Sequence, residues 1–186
     1  MKKIKIIGIG GSPRKKSNSN RMVEEVLKGA SDFGAETEMI LLGDLKIEFC
    51  DGCLSCDKTG RCHFSDEMNE ICEKMAKADG LVFGTPARFD NVSGLMKNFI
   101  DRTNPLCKDS QLKGKKGALV TAGYFPKDIS RERTIGSLTN FCEAHKTEVI
   151  GNVLAYTKTG KPREIEKMRN VLSRCYELGK KLVQSI

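Results

Sequence analysis

Short apolar runs alternate along the chain with stripes of helical period. Residues 3–9, Lys-Ile-Lys-Ile-Ile-Gly-Ile, are β-branched and too apolar for a half-exposed strand, so they predict a central parallel strand. The helix expected next carries its apolar face at Met22, Val23, Val26, Leu27 and Ala30 and stops near Gly34. Residues 36–42 predict a second strand, 80–85 a third, 116–123 a fourth and about 147–155 a fifth. Between them fall a stripe at Met68, Ile71, Cys72 and Met75, capped by Ser65 or Asp66, and another at Val92, Leu95, Met96, Phe99 and Ile100. Further helices are expected at about 131–145 and 163–184. Five strands alternating with five helices predict an α/β domain: a parallel sheet covered on both faces and built from right-handed βαβ units. No repeat, linker or low-complexity tract interrupts it, so residues 1–186 are expected to form one domain.

The stretch between the second strand and its helix is too long for an ordinary connection. Within it, Cys50, Cys53, Cys56 and Cys62 follow the spacing C-x2-C-x2-C-x5-C, using four of the eight cysteines. Thiols repeating every third residue do not follow a core pattern; they converge on a common ligand. The spacing resembles the compact ferredoxin run that wraps a cubane cluster, which favours a [4Fe-4S] site. Zinc sites separate their two knuckles more widely, and zinc, or reactive or disulfide-forming thiols, are the other readings. Gly52 and Gly60 are expected to take positive φ and turn amides toward sulfur. Cys72, Cys142 and Cys175 fall in apolar stripes and are expected in the core. Of the two histidines, His145 near a helix end is expected to be structural, and His63 beside Cys62 is a weak candidate fifth ligand.

Charge adds little. Lys and Arg total 32 against 24 Asp and Glu, net +8, but the cations are spread along the chain, aromatics are few and tryptophan is absent. Neither a basic helix nor a stacking platform stands out, so nucleic acid is not expected as a partner. No eighteen-residue apolar run exists, and Met1-Lys2-Lys3 leads straight into the first strand without a signal-peptide core. No membrane association and a cytoplasmic location are therefore expected, where clustered cysteines more often bind metal than form disulfides.

The turn from the first strand into its helix, Gly10-Gly11-Ser12-Pro13-Arg14-Lys15-Lys16-Ser17-Asn18-Ser19-Asn20, combines hydroxyls, a cation and the free amides of a helix start. Those are the parts of a phosphate site, and equally of an ordinary polar turn. It is not a dinucleotide fingerprint, because Pro13 stands where glycine is required, and it lacks the Gly-Lys-Ser/Thr of a Walker loop. The third and fourth strands also open into loops at their carboxyl ends, Pro86-Ala87-Arg88-Phe89-Asp90-Asn91 and Gly123-Tyr124-Phe125-Pro126, where doubly wound sheets bind ligands.

Gly11–Lys15 with Ser17-Asn18-Ser19, then Gly84-Thr85-Pro86, then Val92-Ser93-Gly94-Leu95-Met96-Lys97-Asn98-Phe99-Ile100-Asp101-Arg102, resemble the NADPH-dependent FMN reductase family of flavodoxin-like proteins. With the cysteine motif added, the resemblance extends to the iron–sulfur flavoproteins of anaerobic archaea and bacteria. It implies a flavodoxin-like three-layer sandwich, sheet order 2-1-3-4-5, with FMN at the switch point and a [4Fe-4S] cluster on Cys50, Cys53, Cys56 and Cys62. It places Ser12, Arg14, Ser17, Asn18 and Ser19 on the FMN phosphate loop, Pro86, Ala87, Arg88 and Phe89 on the loop beside the isoalloxazine, and Gly123 and Tyr124 on a third flavin loop, with Thr85 also among the cofactor-binding residues. Many relatives carry Tyr where this chain has Arg88 or Phe89, which leaves the stacking side chain open. The implied function is redox: electrons pass between a one-electron carrier such as ferredoxin, the cluster and FMN, with no catalytic acid or base. A homodimer or homotetramer is implied, because in such relatives the cluster of one subunit lies near the flavin of another. The alternative is an NAD(P)H-dependent FMN or quinone reductase without an iron–sulfur cluster.

Overall fold

The computed structural model describes residues 3–125 and 128–186. Strands β1 (Lys5–Gly10), β2 (Glu36–Leu41), β3 (Gly80–Pro86), β4 (Lys116–Gly123) and β5 (Glu148–Tyr156) form one parallel sheet in the order β2-β1-β3-β4-β5, as the resemblance implied. Ile9 of β1 sits between Ile40 and Phe83 in register, and β4 meets β5 through an irregularity at Gly117/Ala118.

Side chains leave a strand alternately to its two faces, and the core divides accordingly. Ile7, Ile9, Leu81, Phe83 and Leu119 pack with α3 (Met68–Lys77), α4 (Gly94–Asp101) and α5 (Asp128–Ala144). Ile6, Val82, Ala118 and Val120 pack with α1 (Asn18–Asp32) and α6 (Arg169–Gln184) on the other face. Helices α1 and α6 meet backbone to backbone. A Cβ on Gly29 would stand 2.1 Å from the Tyr176 carbonyl oxygen, and one on Gly179 would stand 1.9 Å from that of Val26. Glycine costs helix propensity at both positions, and the close crossing requires it.

Cys72, Cys142 and Cys175 lie in the core as expected. Several boundaries differ from the pattern-based reading. A short sixth helix, α2 (Ser55–Thr59), lies inside the cysteine loop. Glu67 rather than Ser65 or Asp66 occupies the N-cap position of α3, but it is Asp66 Oδ1 that accepts the Met68 amide, at 3.2 Å, while the same carboxylate pairs with Arg102. The closing helix starts at Arg169. Before it, a 3-10 turn over Glu164–Lys167 is pinned when Asn18 Oδ1 accepts the Ile165 amide at 3.1 Å. Pro126, expected in the loop after the fourth strand, lies outside the described residues. No helix among the described residues is long and apolar enough to cross a membrane.

Candidate functional site

Ser17 caps α1 in extended conformation, its Oγ accepting the Asn20 amide at 3.0 Å. The amides of Asn18 and Ser19 open the helix with no acceptor one turn back, and no acidic side chain stands in the first turn. The positive end of the helix dipole therefore faces the turn unopposed. Asn20 Oδ1 accepts the Ser12 amide at 3.3 Å, Ser12 Oγ accepts the Arg14 amide at 3.3 Å, and the Ser17 and Ser19 hydroxyls lie 3.3 Å apart. Arg14 Nη1 donates to the Gly160 carbonyl at 2.9 Å and Asn18 Nδ2 to that of Lys161 at 2.9 Å. These bonds tie the turn after β1 to the loop after β5.

Together the loops enclose a cavity of about 130 Å³ at the carboxyl ends of the strands. All the flavin-loop residues named from the sequence line it, except Thr85 and Phe89. Thr85 is fully buried; its Oγ1 accepts the Ser93 amide at 3.0 Å, and its carbonyl accepts Thr121 Oγ1 at 2.9 Å. Its hydroxyl holds the start of α4 in place. Phe89, fully exposed at a φ of 47°, lines a neighbouring cavity of about 500 Å³ with Ala87, Arg88, Tyr124, Phe125 and Arg131. The sequence reading missed Thr157, Thr159, Gly160 and Pro162, which close the first cavity from beyond β5. The signal was available: a polar, glycine-containing loop follows the fifth strand just as one follows the first. Gly160, at a φ of 64°, brings its backbone against the Tyr124 ring, where a Cβ would stand 3.2 Å from that side chain.

The cysteine loop lies elsewhere. From β2 the chain runs down α4, where Asn98 Nδ2 donates to the Ile47 carbonyl at 3.0 Å and Arg102 Nη1 to that of Glu48 at 2.6 Å. Cys50, Cys53, Cys56 and Cys62 then line one cavity of about 480 Å³ with Ile100, Asn104, Cys107, Phe141 and His145. In a βαβ unit the helix returns antiparallel to the strands, so this cavity sits at the far end of α4 from the first. The eight residues of α4 span about 12 Å. Gly52 and Gly60 take the expected positive φ, 73° and 70°, and Leu54 at 58° joins them.

A model of the NADPH-dependent FMN reductase family matches residues 4–159. The chain belongs to that family. It is 38% identical over 149 residues to an iron–sulfur flavoprotein of Methanocaldococcus jannaschii, covering 80% of this chain and 77% of that one. It is 33% identical over 150 residues to an iron–sulfur flavoprotein of Methanosarcina thermophila, covering 80% and 78%. The NAD(P)H:quinone oxidoreductase of Methanothermobacter marburgensis superposes over 97% of this chain and 98% of its own, with a TM-score of 0.74 at 14% identity. The protein is thus a flavodoxin-like, FMN-dependent oxidoreductase.

Side chains from the body of this FMN reductase relative grip the cysteine loop along its length. Asn69 holds the exit: its Oδ1 accepts the Cys62 amide at 3.0 Å, and its Nδ2 donates to the Phe64 carbonyl at 2.9 Å. Asn104 Nδ2 donates to Cys56 Sγ at 3.1 Å and to Asp57 Oδ1 at 2.7 Å. Arg102, 1% exposed, forms a fork with Asp66 at 2.7 and 2.8 Å, and its guanidinium lies 4.9 Å from the Phe64 ring centre. Burial pushes the Asp66 carboxyl up. Arg102 and the amides of Glu48 and Met68 outweigh that and hold it below the ordinary carboxylate range. None of these anchors was legible in the sequence, since each acts across a tertiary contact.

His63 does not reach into the four-cysteine cavity's lining; its Nε2 lies 2.9 Å from Asp51 Oδ2 on the surface. Asp51, Cys53 and His63 present ligand atoms within 4.8 Å of one another, all exposed. His145 is structural as expected: its Nε2 lies 3.1 Å from Thr103 Oγ1, its ring packs edge-on against Phe141, and burial pushes its pKa down.

Proposed function

We propose that the protein is a two-centre electron-transfer flavoprotein, with FMN held between the loops after β1, β3, β4 and β5 and a [4Fe-4S] cluster held by Cys50, Cys53, Cys56 and Cys62. The carrying observation is that all four cysteines line a single cavity roomy enough for a cluster, with an amide N–H directed at the Cys56 sulfur. A sulfur that accepts hydrogen bonds suits a metal-bound thiolate. The names of the similar archaeal proteins support the same reading. FMN exchanges electrons singly or in pairs, and a cluster exchanges them singly.

The residues divide the work. The α1 amides with the hydroxyls of Ser12, Ser17 and Ser19 bind the phosphate, Arg14 adds charge, and Pro86, Ala87, Arg88, Gly123 and Tyr124 border the ring. No side chain serves as acid or base. The two sites lie at opposite ends of α4, so electron transfer between them favours a homodimer or homotetramer that brings one subunit's cysteine loop to another's flavin. A ferredoxin-like carrier is the donor in this reading.

A second reading, an NAD(P)H-dependent FMN or quinone reductase without a cluster, is favoured by the partly apolar cavity beside the flavin loops, lined by Phe89, Tyr124 and Phe125. Anaerobic iron, sulfide and flavin analysis separates the two. The first requires iron and sulfide together with FMN, and Cys→Ser at position 50, 53, 56 or 62 must lose most iron while keeping FMN. A yellow, iron-free protein bleached by NADPH would establish the second.

A further inference from the structure

Resting on the reading that Cys50, Cys53, Cys56 and Cys62 hold a [4Fe-4S] cluster, we infer that Arg102 and Asn104 are positioning residues that raise the cluster's reduction potential by supplying N–H donors to its sulfurs.

Asn104 has two amide hydrogens, and both are committed, one to Cys56 Sγ at 3.1 Å and one to Asp57 Oδ1 at 2.7 Å. The bond to Asp57, on α2 beside Cys56, orients the amide so that the other hydrogen meets the sulfur. For Arg102 the count of donors is decisive. Of its five N–H groups, the two on Nη1 meet the Glu48 carbonyl and Asp66 Oδ2, and one on Nη2 meets Asp66 Oδ1. That leaves Nε–H and the second Nη2 hydrogen. Nε is buried without any hydrogen-bond partner, in a side chain only 1% exposed. Such an orphan costs free energy unless something accepts from it. Cys62 stands two residues before Phe64, whose ring centre lies 4.9 Å from the guanidinium, and its amide is anchored by Asn69 Oδ1, so the cluster's Cys62 side faces the orphaned donor.

A neutral thiol is a weak acceptor, whereas a metal-bound thiolate is a strong one. When the cluster takes up one electron, the negative charge on its sulfurs grows, and N–H groups already aimed at them stabilise the reduced form more than the oxidised form. Asp66 offsets the guanidinium charge at longer range and locks its orientation. The unshared N–H groups are left for the sulfurs of a bound cluster to accept. Phe64, over the guanidinium, keeps solvent from competing for it.

The experiment uses the anaerobically reconstituted holoprotein: wild type, Asn104→Ala and Arg102→Lys. Iron, sulfide and FMN are measured first. Dithionite, a one-electron reductant after dissociation, is then titrated at controlled potential, with the cluster followed by electron paramagnetic resonance and FMN by its visible bands. Each variant is expected to keep its iron and to shift the cluster's oxidised-to-reduced equilibrium roughly tenfold toward oxidised, a fall of about 59 mV for a one-electron couple. The FMN potential, read at the far end of α4, should not move. Unchanged cluster potentials at full iron content overturn the inference, and so do equal shifts of both centres, which would report a general structural change. A shift in one variant alone removes the other residue from the assignment. If Arg102→Lys does not fold, Asn104→Ala at its partly exposed site decides. Wild-type protein that takes up neither iron nor sulfide overturns the inference and the reading beneath it together, an outcome the metal analysis distinguishes from an unmoved potential.

Discussion

Replacing Asp66 by Asn tests what holds the cysteine loop to the sheet. The substitution keeps the shape and one carbonyl oxygen but removes the charge that balances Arg102. Both partners are buried, with side chains 1% and 8% exposed. Removing one member of such a pair leaves an uncompensated cation and costs about 3–5 kcal/mol. For a chain of this size each kcal/mol lowers the melting temperature by about 2–4 °C, so a fall on the order of 10 °C is expected. Thermal unfolding followed by far-ultraviolet circular dichroism at neutral pH, with FMN held at one concentration, measures it. A loss under about 1 kcal/mol, the scale of an exposed pair, would refute the buried-pair argument. Adding Arg102→Met should recover part of the loss, because the orphaned charge goes with it. The pH dependence follows from the sign of the shift. The Asp66 carboxyl is held below its ordinary value in the native state, so its contribution is present above the unfolded value and fades as pH falls through the native one. The Asn variant should lack that share of acid sensitivity.

Gly179→Ala drives a methyl group into the Val26 carbonyl of α1 and should cost about 3 kcal/mol or more; denaturant unfolding checks it, and a neutral result would mean that α1 and α6 are free to separate. Ser17→Ala removes the α1 cap and should cost about 1 kcal/mol while weakening FMN binding, with the two effects read by thermal melts and flavin fluorescence titration. His145, lowered below its ordinary value by burial, stays neutral when folded, so stability should fall as pH drops below about 6.5, where the unfolded chain takes up the proton; His145→Gln should flatten that segment of the melting-temperature profile. In metal-free protein at about pH 8, iodoacetamide should modify exposed Cys50 and Cys53 and spare Cys72, Cys142 and Cys175, whose thiols burial pushes up to about 12; peptide mass spectrometry reads the sites, and equal labelling of both sets would count against this packing.

The strands were legible because a central parallel strand must be apolar on both faces, and Ile6, Ile7 and Ile9 carry that requirement locally. The polar turn into α1 was legible because its hydroxyls and the free amides of a helix start are neighbours in sequence, and the structure singles out Ser17 in it as the cap. The Thr85 hydroxyl could not be oriented from sequence: at the end of a strand it can face the ligand or the neighbouring helix, and the hydrogen bond from Ser93 turns it to α4. The loop after β5 was passed over because its share in the cavity depends on Arg14 and Asn18 reaching it across the sheet end.

By itself, the sequence determined the repeating βα order, the polar turn at the first helix and the cysteine spacing, all properties set by neighbours a few residues apart. The tertiary structure decided where those chemistries lie relative to one another. It carried the cysteines down α4, away from the strand ends. It gave Arg102 a buried partner in Asp66, and it brought Gly29 and Gly179 into backbone contact. Such facts depend on residues distant in sequence, and composition and periodicity do not encode which distant groups meet.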